Sequence, residues 1–285
     1  MFENTESLLK QIALGEDSVL EFKTVEDEQT IPKADCHVLE EGLWKRFKTV
    51  LSPVDNQEFL EKMKLISMDE DGMLRPTVSG VLMASKSPES LIPSAYIQAV
   101  CYRGIERNAD YQLDAKDITG PLDVQVREGC NFVARNMRVF AVKAPYRIET
   151  PQFSMNAVFE AIVNAVAHRD YSIYGSKIRL HLFSDRLEFF SPGAIPNTLT
   201  VDSLTERQSA RNELLTSLLA RCPMNVDVMG SQRSYLMDKR GEGVPIIIME
   251  SERLSGRKPE YRLLDEAELK LTIYAAKCPH DSIVA

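Results

Sequence analysis

Glu160, Asn164 and His168 stand four residues apart on a segment that is otherwise apolar. Ser154 precedes them as a candidate N-cap, since its hydroxyl can accept a hydrogen bond from a free first-turn amide. A helix is expected from Met155 to about His168, with the three polar residues on one stripe. Phe159, Ile162, Val163 and Val166 would face the core, and Ala157, Ala161 and Ala165 permit close packing on a sheet. A carboxylate and a carboxamide one turn apart cost free energy if buried without partners, so the stripe either reaches solvent or lines a polar pocket. A second feature suits anions: Lys239-Arg240-Gly241-Glu242-Gly243 leads into a helix with Pro245 in its first turn. Two glycines before a helix N-terminus leave free amides and the positive dipole end pointing at a phosphate. Alone, a Gly-x-Gly is more often a plain loop-to-helix turn.

The elements around these residues can be read in turn. Lys177 to Phe183 alternates strictly and is expected to be a strand. It turns at Ser184-Asp185 and returns through Arg186–Phe190 to Ser191-Pro192-Gly193. Gly193 would permit a positive φ or a close backbone approach. Arg211-Asn212 opens a helix over 213–219, and Leu269 to Tyr274 is the final strand. His168 at a helix end reads first as a cap or dipole partner, and Arg169 and Asp170 as structural. Upstream, a short helix is expected at Glu6–Leu14 and a strand at Ser18–Lys23. Helices follow from His37 to Val50 and from Asp55, then a turn at Met68–Gly72 and an apolar stretch at Val78–Met83. Strands at Ala95–Tyr102 and Tyr111–Leu113 and a helix at Val124–Met137 lead to a linker at Pro145–Pro151, taken as the domain boundary. The helix–helix–hairpin order over His37–Pro76 fits a winged helix, and fits a small packing unit more readily.

Composition narrows the function. The chain has 285 residues and a formal net charge of −8, so its overall field works against non-specific binding to DNA phosphates. No run reaches the length of a membrane-spanning helix, and the N-terminus lacks a signal-peptide pattern. Five cysteines, none in a Cys-x-x-Cys pair, fit a reduced cytoplasmic protein. No Gly-x-x-x-x-Gly-Lys-Ser/Thr loop is present, so a P-loop helicase motor is not encoded.

The order of parts is more specific than any one of them. Glu160-x-x-x-Asn164-Ala165-x-x-His168-Arg169-Asp170-Tyr171 precedes Asp185-Arg186-Leu187-Glu188 and Ser191-Pro192-Gly193-x-x-Pro196. Arg211-Asn212 and Lys239-Arg240-Gly241-x-Gly243 follow. This series resembles the RecG-related helicase and ATP-binding transcriptional regulator family, whose C-terminal domain is a divergent GHKL ATPase-like module. The resemblance implies an α+β protein: a GHKL (Bergerat-like) sandwich over 149–275, with helices on one face of a mixed sheet. A smaller α/β domain, winged-helix-like at most, would occupy 37–148, and 276–285 would be a tail. Ser18-x-x-Glu21-Phe22-Lys23 resembles the opening strand of a Schlafen-type AlbA domain, which would be truncated to residues 1–36. Carried over, Glu160 is the general base and Asn164 the Mg²⁺ ligand. Gly193, Lys239, Arg240, Gly241 and Gly243 would hold the nucleotide, with residues 226–238 as a lid. The aspartate that reads adenine in GHKL proteins has no counterpart at Ser191-Pro192-Gly193. The expectation is an ATP-binding regulatory protein with slow or no Mg²⁺-dependent hydrolysis. The alternative is a DNA-binding transcriptional regulator on a degenerate GHKL-like scaffold. Nucleotide is the expected partner, with DNA and a second subunit left open and no membrane.

Overall fold

In the computed structural model, residues 27–143, 146–195, 199–207, 209–224, 234–238 and 241–277 are described. The helix expected at Glu6–Leu14, the strand at Ser18–Lys23, most of the AlbA-like segment, Lys239, Arg240, and the greater part of both the lid and the tail lie outside them.

The N-terminal part is built from short pieces. The single helix expected from His37 to Val50 is instead a 3₁₀ turn, a one-turn helix α1 (Glu41–Trp44) and a second 3₁₀ turn. Trp44 and Phe47 enter the core, but Val50 is fully exposed, because the chain leaves helical geometry at Lys48. Helix α2 (Asn56–Lys62) is capped by Asp55, whose side chain accepts from the Glu58 amide. A hairpin of β1 (Ile66–Met68) and β2 (Leu74–Pro76) follows. The apolar stretch after it forms α3 (Val78–Ala84), in which every residue is buried.

The central sheet is six-stranded and mixed. Its order is β4 (Gln112–Ile118), β3 (Ile97–Tyr102), β7 (Ile178–Leu182), β8 (Arg186–Pro192), β10 (Glu268–Tyr274) and β9 (Glu260–Leu264). All neighbours are antiparallel except β3 and β7, where Ile97 sits opposite Ile178 and Cys101 opposite Leu182. Helices α4 (Leu122–Asn136), α5 (Met155–Ala167) and α7 (Gly243–Ser255) pack on one face. The strand residues beneath them, among them Ala99, Leu180, Leu187 and Ile273, share one core with Val126, Val158, Ile162 and Ile247. Helices on one face of a mixed sheet is the expected arrangement.

The central sheet crosses residue 148, the expected boundary. Strands β3 and β4 precede it, yet they hydrogen-bond into the same sheet as the strands that follow. The expected linker is half of a hairpin, β5 (Val139–Lys143) with β6 (Arg147–Pro151), and the six-stranded sheet draws strands from both sides of residue 148.

The opposite sheet face carries a small aromatic cluster. Tyr102 stacks on Phe183 at 5.1 Å between ring centroids, and His181 meets Tyr102 edge-on at 5.6 Å. Beside them Glu188 takes ion pairs from Arg186 and Lys270, each at 2.8 Å. Burial, helped by the charges of Arg107 and Arg179, pushes the His181 pKa down from 6.5 to about 4. The unfolded chain therefore takes up a proton below pH 6.5 that the folded chain refuses until about 4, so stability falls as pH drops through that window. The expected loss is roughly 3 kcal/mol from this residue. His181→Phe should fold at neutral pH and show a smaller loss near pH 4 than the parent in urea unfolding. Equal losses would mean that His181 does not carry the acid sensitivity.

Candidate functional site

Helix α5 runs through the centre of the fold and is buried along most of its length. Ser154 occupies its N-cap position but makes no capping bond; its hydroxyl donates to Glu250 Oε2 of α7 at 3.0 Å. That bond draws the two helices together, and Gly243, the first residue of α7, lies against the polar stripe of α5. A β-carbon on Gly243 would stand 3.0 Å from Glu160 Oε2 and 3.3 Å from Asn164 Nδ2. Any larger residue would require these side-chain ends to give way by a few tenths of an ångström or more.

The stripe opens onto a cavity of about 870 Å³ between α5, the start of α7 and the helix-bearing sheet face. Phe189 of β8, Leu269 and Leu271 of β10 and Tyr261 of β9 line it from the sheet. Glu160, Asn164 and His168 line it from α5, and Gly193, Gly241 and Gly243 lie around it. The cavity thus brings together five of the seven proposed site residues, while Lys239 and Arg240 are outside the described residues. Met237 and Asp238, the end of the expected lid, also line it.

At the far end, the loop after α5 is clamped by Asp170, which the sequence marks as structural, together with Gly193, Arg211 and Asn212. Gly193 has φ +120°, and a β-carbon there would lie 2.8 Å from Asp170 Cβ, so this approach requires glycine. The Asp170 amide donates to Pro192 O at 2.8 Å, and its carboxylate accepts from Arg211 Nη1 at 2.9 Å. Arg211 also donates to Ala194 O. Asn212 stands at the N-cap of α6 (Glu213–Leu219) but does not cap it. Its Nδ2 donates instead to Ala167 O and Arg169 O, closing the end of α5. His168 is the C-cap residue of α5; burial, with the nearby Arg211 charge, lowers its pKa to about 4, so it lines the cavity as a neutral ring.

Two contributions were not foreseen. Strand β9, with Tyr261, is one. The other is a lip from the N-terminal part, where Lys62, Met63 and Lys64 border the same cavity together with Arg221, whose guanidinium lies 3.7 Å from Met63 Sδ. Among the described residues no three His, Cys, Asp or Glu side chains are grouped to hold a metal, and no helix is long and apolar enough to cross a membrane.

Residues 175–273 match the family model described as "Putative ATP-dependent DNA helicase recG C-terminal". The match begins beyond α5, so Glu160 and Asn164 lie outside it. No curated protein matches the chain. Among solved structures, the crystal structure of the DIP2311 protein from Corynebacterium diphtheriae, a structural genomics target, superposes with a TM-score of 0.60 at 18% identity, covering 96% of this chain. The chain spans 50% of that protein's length, and the likeness is one of fold alone. The C-terminal part of the chain is therefore similar to the recG C-terminal family, and its α/β architecture is consistent with a GHKL-like fold segment.

Proposed function

We propose that the chain binds a nucleotide, ATP together with Mg²⁺, in the cavity between α5 and the sheet, as a regulatory module with slow or no hydrolysis. The observation that carries this reading is the meeting of Glu160 and Asn164 with the Gly243 end of α7 around one cavity of about 870 Å³. That size suits a ligand of nucleotide bulk. The first amides of α7 and its dipole favour the phosphates there, and the apolar floor of Phe189, Leu269 and Leu271 suits a base.

The donor set fits Mg²⁺ only when phosphate oxygens share it. Asn164 offers one neutral carbonyl oxygen, and Mg²⁺ commonly takes one or two protein ligands with the remainder from phosphates and water. When bound, the ion would neutralise phosphate charge. Glu160 would orient and deprotonate the attacking water. Base selectivity is expected to be weak. The strand end at Ser191-Pro192-Gly193 carries no carboxylate, and the nearby Asp170 is engaged by Arg211 and Ser172. The lid end at Met237 and Asp238 would convey occupancy to a partner.

The test is calorimetry of Asn164→Ala with a non-hydrolysable ATP analogue. The Mg²⁺-dependent part of the affinity should disappear while the metal-free part persists. A variant that binds the Mg²⁺ complex as well as the parent would remove the metal assignment.

A further inference from the structure

Strands β5 and β6 form a sheet of their own, which no third strand joins among the described residues. Neither strand contributes a described residue to the hydrophobic core. Apolar side chains stand out on both faces of this ribbon: Val139 is 54% exposed, and Ile148, on the other face, is 58% exposed. A two-stranded hairpin alone in water is marginally stable at best, and an open strand edge is a template for a further strand.

The hydrogen bonding shows what the free edge of β6 offers. At the base of the ribbon the Gln152 amide donates to Arg138 O at 2.8 Å. Along an antiparallel pair, residues alternate between turning their backbone groups toward the neighbouring strand and turning them away from it. Counting from Gln152, Thr150 and Ile148 address β5, while Pro151, Glu149 and Arg147 address the open edge. Pro151 has no N–H, so Arg147 and Glu149 are the β6 residues that offer both a donor and an acceptor there.

Charges on an edge strand usually guard it against a second copy. Here the two charges are of opposite sign and two residues apart on one face, 2.7 Å from each other. Such an edge complements itself. Laid antiparallel on its own copy about Ile148, β6 sets Arg147 opposite Glu149 of the partner subunit, and Glu149 opposite Arg147 of the partner subunit. Both are pairs that exchange two backbone hydrogen bonds. Ile148 meets Ile148 of the partner subunit on the other face. The two ribbons then run in opposite directions, so the bodies stand at opposite ends of the joint.

We propose that β6 is a dimerisation edge, at which two copies of this chain pair antiparallel about Ile148 and join their two-stranded ribbons into one sheet. The proposal is independent of the nucleotide reading.

The experiment is sedimentation velocity of the full chain over a concentration series up to millimolar. It compares wild type, Arg147→Glu, Glu149→Arg, the double exchange Arg147→Glu/Glu149→Arg, and an equimolar mixture of the two single variants. Both side chains are more than half exposed, so the variants should fold like the parent, which circular dichroism checks. Wild type should show a concentration-dependent monomer–dimer equilibrium. Each single variant sets like charges opposite one another at two places and should weaken the dimer about tenfold or more. The double exchange and the mixture should regain it. The mixture decides the matter, because neither of its chains can form the Arg–Glu pair within its own strand. A mixture as weak as the single variants would mean that the charges act only inside the ribbon, and would overturn the proposal. A wild type that stays monomeric throughout would overturn it, as would a dimer that no variant weakens, which would place the interface elsewhere.

Discussion

Asp170→Ala is expected to lower the unfolding free energy by about 3–5 kcal/mol, the range for breaking a buried ion pair from one side. Asp170 and Arg211 are both largely buried, with side-chain exposures of 11% and 15%. The carboxylate also accepts from the Ser172 amide at 2.9 Å. Arg169, 1% exposed, adds to the cost: burial works against its charge, the Asp170 carboxylate supports it, and its guanidinium lies 4.6 Å from the Tyr171 ring centre. Removing Asp170 leaves two buried guanidiniums with less compensating charge. Asp170→Asn keeps acceptor capacity and should lose less. Urea unfolding reads the difference, and a loss below about 1 kcal/mol, the level of a surface pair, would show that the clamp is not buried in solution.

Gly243→Val should abolish nucleotide binding while sparing the fold. The β-carbon alone would meet Glu160 Oε2 at 3.0 Å and Asn164 at 3.3 Å, and two further methyl groups would have to displace those side chains. Gly243 opens α7, where a β-branched residue adopts ordinary helical geometry. We expect at least about a hundredfold loss of affinity, or about 2.7 kcal/mol, with cooperative unfolding retained. Gly243→Ala should fall between the two, since a contact at 3.0 Å requires Glu160 to shift by a few tenths of an ångström.

How much of this was legible depends on whether the signal was local. The α5 stripe was readable because a 3.6-residue period places Glu160, Asn164 and His168 on one face whatever packs against it. The β7–β8 hairpin was readable because alternation flanks a two-residue turn at Ser184-Asp185. The β3–β7 pairing was not, because the partners lie about 80 residues apart and nothing local marks a parallel neighbour. That pairing is what moves β3 and β4 into the sheet of the C-terminal strands. Strand β9 was missed for a different reason. Its turn to β10 is built on Asp265 and Glu266, with φ +47° and +52°, and this conformation is usually announced by Asn-Gly or Asp-Gly. With β9 went Tyr261. The sequence places Asn212 at the start of a helix, where it stands, but its amide closes the end of α5, a tertiary bond that helix-start chemistry does not encode.

The central claim is tested most directly by titrating a non-hydrolysable ATP analogue into the wild-type chain and into Gly243→Val, each with and without Mg²⁺. Saturable binding by wild type, strengthened by Mg²⁺ and lost in Gly243→Val, is the expected result. No binding by wild type at millimolar ligand, or equal binding by the two proteins, would contradict a nucleotide site at the meeting of Glu160, Asn164 and the start of α7.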